Sequence, residues 1–172
     1  DAKEIYQLII EEGKNHNLSH CGSHAMDTMR MESGFLHWGH DISPEENQYQ
    51  AGLTFAISYK KEVNFIGKES LLKVKEKKHD RRFIMLSLLD SKPGLPLLLH
   101  EEPIYLKDKI IGRTTSGNYS FNFKKNLSFG YVTSNHTNEE LSKMDLYIEV
   151  AKQKYPAKVE ITPLKDKSSR FL

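Results

Sequence analysis

Phe83-Ile84-Met85-Leu86-Ser87-Leu88-Leu89 is a short apolar run, preceded by Arg81-Arg82 and followed at once by the turn chemistry of Lys92-Pro93-Gly94. A run of this length bounded by turn signals reads as a β-strand. Working outward, the same pattern recurs at residues 103–106, 110–115, 127–132, 146–151 and 155–161. Lys107-Asp108-Lys109, Ser116-Gly117-Asn118 and Ser134-Asn135-His136 are the breaks expected between such strands. This succession predicts an antiparallel β-barrel or sandwich from about residue 82 onward.

The chain ahead of it has a different texture. Ile5, Leu8, Ile9 and Glu12 recur at helical spacing and stop at Gly13, and Ala25, Met26 and Met29 mark a second short helix that runs into Arg30-Met31-Glu32. Residues 53–59 alternate, with Leu53, Phe55 and Ile57 on one side, and predict a strand. Residues 67–78 predict a helix with Leu71, Leu72 and Val74 inward and lysines outward. A boundary near Lys78 separates residues 1–78 from residues 79–172. The expected fold class is α+β, a helical and strand segment followed by a C-terminal antiparallel β-barrel. No internal repeat or low-complexity segment interrupts it.

With 172 residues, 38% hydrophobic and 28% charged, the chain has enough apolar material for a core and reads as a soluble globular protein of one or two small domains. A formal charge of +2, from 25 basic and 23 acidic side chains, is too balanced to argue for nucleic acid. The basic run around Lys73, Lys75, Lys77, Lys78, Arg81 and Arg82 lacks interleaved aromatics, which argues against single-strand binding. The single cysteine, Cys21, excludes an internal disulfide framework and fits a reducing compartment: the cytoplasm, or the mitochondrial matrix in a eukaryote. No apolar run approaches the roughly 20 residues needed to span a bilayer, so no membrane partner is expected. The start Asp1-Ala2-Lys3-Glu4, unlike a signal peptide, suggests a piece of something longer.

One stretch has neither helical nor strand period. Met29-Arg30-Met31-Glu32-Ser33-Gly34-Phe35-Leu36-His37-Trp38-Gly39-His40-Asp41-Ile42 mixes charge, aromatics and glycine in the manner of a site. Arg30-Met31-Glu32-Ser33-Gly34, Gly39-His40-Asp41-Ile42 and Ala51-Gly52-Leu53 resemble the folate-binding module shared by the glycine-cleavage T-protein (aminomethyltransferase) and the dimethylglycine and sarcosine dehydrogenases. The resemblance continues in order through Asn64-Phe65-Ile66-Gly67-Lys68, Arg81-Arg82-Phe83, Ile111-Gly112-Arg113-Thr114-Thr115-Ser116-Gly117-Asn118-Tyr119-Ser120 and Leu127-Ser128-Phe129-Gly130-Tyr131-Val132. The dehydrogenase branch is nearest. His24, Gln50 and Thr54 depart from the family's usual residues.

The resemblance implies a tetrahydrofolate site. A pterin ring offers an N3–H and a 2-amino group side by side, a donor pair that one carboxylate accepts in a fork, and Glu32 carries that carboxylate. Arg30 is read as a buttress of the helix. Arg81 stands where the family arginine contacts folate, with the register between Arg81 and Arg82 open by one residue; on a strand only one of them can face the ligand. Trp38, Tyr119 and Phe121 are candidates to wall the flat rings, or to pack in the core. The histidines His16, His20, His24, His37 and His40 with Cys21 can be drawn as a zinc site, but the spacing is poor and no metal is expected; His40 is expected to bond backbone in the loop beside Glu32. The family's catalytic aspartate is not among these motifs, and no dinucleotide fingerprint is present. The implied function is therefore the folate-binding portion of a one-carbon-transfer enzyme. An upstream domain of the same protein would hold FAD, oxidise an N-methyl group and pass the carbon to tetrahydrofolate, giving 5,10-methylene-tetrahydrofolate. A T-protein-like aminomethyltransferase, a folate-dependent demethylase and a non-catalytic regulatory subunit of the same fold stay open. The isolated chain is expected to be inactive.

Overall fold

The computed structural model describes residues 1–164. Helices α1 (Ala2–Gly13) and α2 (Ser23–Glu32) come first, joined by a short 3-10 turn at Lys14–His16, and α3 (Lys68–Lys75) precedes the barrel. The strands are β1 (Arg81–Leu88), β2 (Pro103–Leu106), β3 (Lys109–Ser120), β4 (Lys125–Thr133), β5 (Leu146–Val150) and β6 (Gln153–Glu160), with the one-turn helix α4 (Asn138–Leu141) between β4 and β5. All neighbours pair antiparallel in the order β1-β4-β3-β2-β5-β6, and β1 closes on β6 from Met85 opposite Glu160 to Leu88 opposite Ala157. Closure leaves no exposed edge for another chain to extend. No helix among the described residues is long and apolar enough to cross a membrane.

Alternation along the strands sorts the side chains into two cores. Ile84, Leu86 and Leu88 of β1 point inward and meet Ile104, Ile111, Val132, Leu146, Ile148, Ala157 and Val159 from the other five strands. Met85 points outward, and with Leu127 and Phe129 of β4 it packs on Met31 of α2, with Phe83 at its margin. Met31 is fully buried there, which stabilises the docking of α2 on the barrel by about 1.5–3 kcal/mol. Because β4 has a core on each side, nearly its whole length is buried. Gly112 is the residue that lets β3 approach it: a Cβ at that position would lie 1.9 Å from the Tyr131 carbonyl oxygen.

Three expectations are corrected. Residues 53–59 are not a strand. Thr54–Ala56 form a 3-10 turn and Phe55 is 84% exposed, because the closed barrel offers no free edge to pair with. Ser116-Gly117-Asn118 is not a break, since β3 runs through it to Ser120 and the reversal falls at residues 121–124. Gly117 instead marks a close approach of Leu98, whose Cβ would stand 2.5 Å from a Cβ added there. Leu72 of α3 is exposed rather than inward, while Leu71 and Val74 are half-buried.

Candidate functional site

Glu32 ends α2 and is 2% exposed. The outer core that seats Met31 carries its neighbour onto β3, where the Glu32 carboxylate accepts hydrogen bonds from Ser120 Oγ at 2.5 Å and from Asn122 Nδ2 at 3.0 Å. Ser120 is held as a donor to Glu32 because its own oxygen already accepts from the Phe123 amide at 3.1 Å. Beside this carboxylate lies a cavity of about 280 Å³ walled by His24, Ala25, Thr28 and Met29 of α2 and by Asn118, Tyr119, Phe121 and Asn122. The Tyr119 and Phe121 rings meet edge to face, with centroids 5.1 Å apart. Glu32 and Tyr119 are thus brought together.

Arg81 and Trp38 do not line that cavity. Arg81 opens β1 with its guanidinium 2.8 Å from Glu46 and 4.3 Å above the Tyr131 ring, and lines a second cavity of about 440 Å³ with Arg113 and Glu101. Arg82, one residue on, shares the inward face of Ile84 and donates to the Ser134 carbonyl at 3.2 Å. Burial raises the Glu46 carboxyl, but hydrogen bonds from Ser43 and the Arg81 guanidinium outweigh it and hold the group below its ordinary value. The Tyr131 phenol is pushed up by burial and then by the negative charge of Glu46. Trp38 is 66% exposed, and its backbone bridges to Ile42. The His40 ring lies against His37, centroids 4.5 Å apart, and the His40 amide donates to the His37 carbonyl at 3.2 Å. Among the described residues no group of three or more His, Cys, Asp or Glu is placed to hold a metal ion.

Arg30 does not pair with Glu32. Its guanidinium meets Asp27 at 2.6 Å, Ser116 Oγ at 2.7 Å, the Phe35 carbonyl at 3.2 Å and the Asp41 carboxylate. Asp41, whose side chain is fully buried, also accepts from Thr115 Oγ1 at 2.6 Å, Ser116 Oγ at 2.7 Å and the His37 amide at 2.8 Å. The register shift between Thr114 and Ser116 explains how two successive residues reach one carboxylate, since a β-bulge re-aims its side chains. Ser116, Ser120 and Asn122 were not singled out by sequence reasoning, nor was Asp41. The only signal was their place inside or beside the motifs that carry the resemblance.

The model of the glycine cleavage T-protein C-terminal barrel domain matches residues 81–166, half of the chain, and the GCVT N-terminal domain matches residues 1–61. The chain belongs to the glycine cleavage T-protein family. Its T-protein-family relatives include 4-methylaminobutanoate oxidase (formaldehyde-forming) of Paenarthrobacter nicotinovorans, 34% identical over 96% of this chain and 19% of that protein. Mitochondrial dimethylglycine dehydrogenase of Rattus norvegicus is 33% identical over 95% of this chain and 18% of its own length. The aminomethyltransferase of Listeria welshimeri is 33% identical over 95% of this chain and 42% of its own. The chain therefore spans less than half the length of these relatives. The crystal structure of glycine cleavage system aminomethyltransferase T from Bartonella henselae superposes with a TM-score of 0.68 at 23% identity, covering 82% of this chain and 38% of that one, a likeness of fold.

Proposed function

We propose that these residues are the tetrahydrofolate-binding portion of a one-carbon-transfer protein in which another domain, of the dimethylglycine or sarcosine dehydrogenase kind, oxidises an N-methyl amine on a flavin. In this reading residues 1–78 are part of the folate module, residues 79–172 are its barrel, and the protein works in the cytoplasm or mitochondrial matrix without nucleic acid or membrane. The observation that carries it is the Glu32 carboxylate at the wall of a cavity shared with the Tyr119 and Phe121 rings. An ionised carboxylate has about four acceptor positions, so Glu32 can keep Ser120 and Asn122 and still accept the paired N–H donors of a pterin. Tyr119 and Phe121 supply flat apolar surface beside it. Bound tetrahydrofolate supplies amine nitrogens that take up the one-carbon unit, while this chain's side chains bind and orient it. Arg81 and Trp38 enter only as contacts to the part of the ligand outside the Glu32 cavity, Arg81 toward a carbonyl or carboxylate. The cavity volume of about 280 Å³ falls at the lower edge of the roughly 300–1,000 Å³ usual for ligand pockets, consistent with a pocket completed by a further wall.

Glu32→Gln replaces a charged acceptor pair by one acceptor and one donor. Tetrahydrofolate affinity of the intact protein should fall by roughly 1.5–3 kcal/mol in a calorimetric titration. Unchanged affinity would remove Glu32 from the site. A non-catalytic member of the family is the second reading, favoured by His24, a departure from the family's usual residue, lining the same cavity. It predicts no turnover of an N-methyl amine by the intact protein.

A further inference from the structure

We infer that Asp41 is a positioning residue for Glu32, acting through Arg30 to hold the last turn of α2 on β3. The inference rests on the folate reading of Glu32 for its functional consequence and on the hydrogen-bond geometry for its mechanical one. Besides the Asn118 amide on the His24 carbonyl at its first turn, two polar clamps fasten the last turn of α2 to the same strand. The first is the Glu32 carboxylate on Ser120, and the second, four residues back along β3, is Arg30 on Ser116. The first clamp is the candidate folate-binding group itself, which must accept from a ligand while it holds Ser120 and Asn122. The second is independent of the cavity, whose walls include neither Arg30 nor Asp41.

Asp41 is what gives the second clamp its direction. Its fully buried carboxylate takes four donors, two on each oxygen: Arg30 Nη1 and the His37 amide on Oδ2, Thr115 and Ser116 hydroxyls on Oδ1. Ser116 Oγ accepts from Arg30 Nη2 while donating to Asp41, so guanidinium, hydroxyl and carboxylate form a closed ring. A buried network with every acceptor filled is rigid, and removing one member leaves the others unpaired in a low-dielectric site. Phe129 backs the guanidinium, its centroid 5.4 Å from Arg30 Cζ, and the same Phe129 packs on Met31. Asp41 therefore couples the 35–42 loop, the β3 bulge and the helix end, and Glu32 lies two residues past Arg30.

The test is a double-mutant cycle in the intact protein, reading tetrahydrofolate affinity by calorimetry and backbone amide hydrogen exchange by mass spectrometry. Asp41→Asn puts a donor where Arg30 and the His37 amide need an acceptor. Exchange at residues 29–34 should rise while β5 and β6 stay protected, and affinity should fall by about tenfold, the scale of one charge-assisted hydrogen bond. In a Glu32→Gln background the same change should alter affinity less than about twofold, because coupled residues are non-additive. Equal losses in both backgrounds would overturn the inference, and so would unaltered exchange at residues 29–34. If Glu32→Gln binds like the parent, the folate reading fails by itself, and the exchange arm still decides whether Asp41 holds the helix. Should Asp41→Asn not fold, Ser116→Ala opens the same ring more gently and must show the same pattern at smaller amplitude; no change in exchange at residues 29–34 would overturn the inference.

Discussion

Glu46 shows how single carboxylates set the pH behaviour of this chain. Its Oε2 accepts from the Ser43 amide at 3.0 Å and the Ser43 hydroxyl at 2.7 Å, and its Oε1 meets Arg81 at 2.8 Å. These bonds hold the folded-state pKa below the unfolded one. A carboxyl lowered in this way adds stability above its unfolded pKa, about 4.3, and loses it as pH falls through the folded value. Glu46→Gln should therefore be less stable than the parent in urea unfolding at neutral pH, and the difference should shrink below about pH 4. A difference constant across that range would show that Glu46 contributes packing alone. At this scale the sequence exposed the residue types but not their partners. Asp41 and Glu32 look alike on the page, yet one is saturated inside a polar ring and the other borders a cavity.

Elements made of apolar alternation were legible wherever a neighbour strand existed to pair with. The runs at 83–89, 103–106, 127–132, 146–151 and 155–161 all became strands to within a residue or two, because an inward row of aliphatics is both the sequence signal and the barrel's core. Residues 53–59 carry the same alternation and form none, for a ladder needs a partner as well as a pattern. The contrast is measurable. Ile148→Ala, at a fully buried position of β5, should cost about 2–5 kcal/mol in chemical denaturation, whereas Phe55→Ala should stay within roughly 0.5 kcal/mol. A large cost at Phe55 would mean that its ring is covered in solution.

For the whole molecule, the cavity beside Glu32 is small, about 280 Å³, and α1 carries no buried residue. The isolated 172-residue chain should accordingly bind tetrahydrofolate more weakly than the intact protein and turn over no N-methyl amine or aminomethyl donor. Side-by-side titration and a one-carbon assay check this, and measured turnover by the chain alone would refute the partial-pocket reading. Residue types and their periods determined by themselves the helices α1 and α2, the six-stranded C-terminal half and the family, since each is a local pattern or an ordered set of short motifs. Only tertiary structure decided the strand order β1-β4-β3-β2-β5-β6, that Glu32 meets Ser120 and shares a cavity with Tyr119 while Arg81 turns to Glu46, and that Asp41 gathers Arg30, Thr115 and Ser116. Those partners lie from 11 to 88 residues apart in the chain, and no local period specifies which polar groups a buried charge will find.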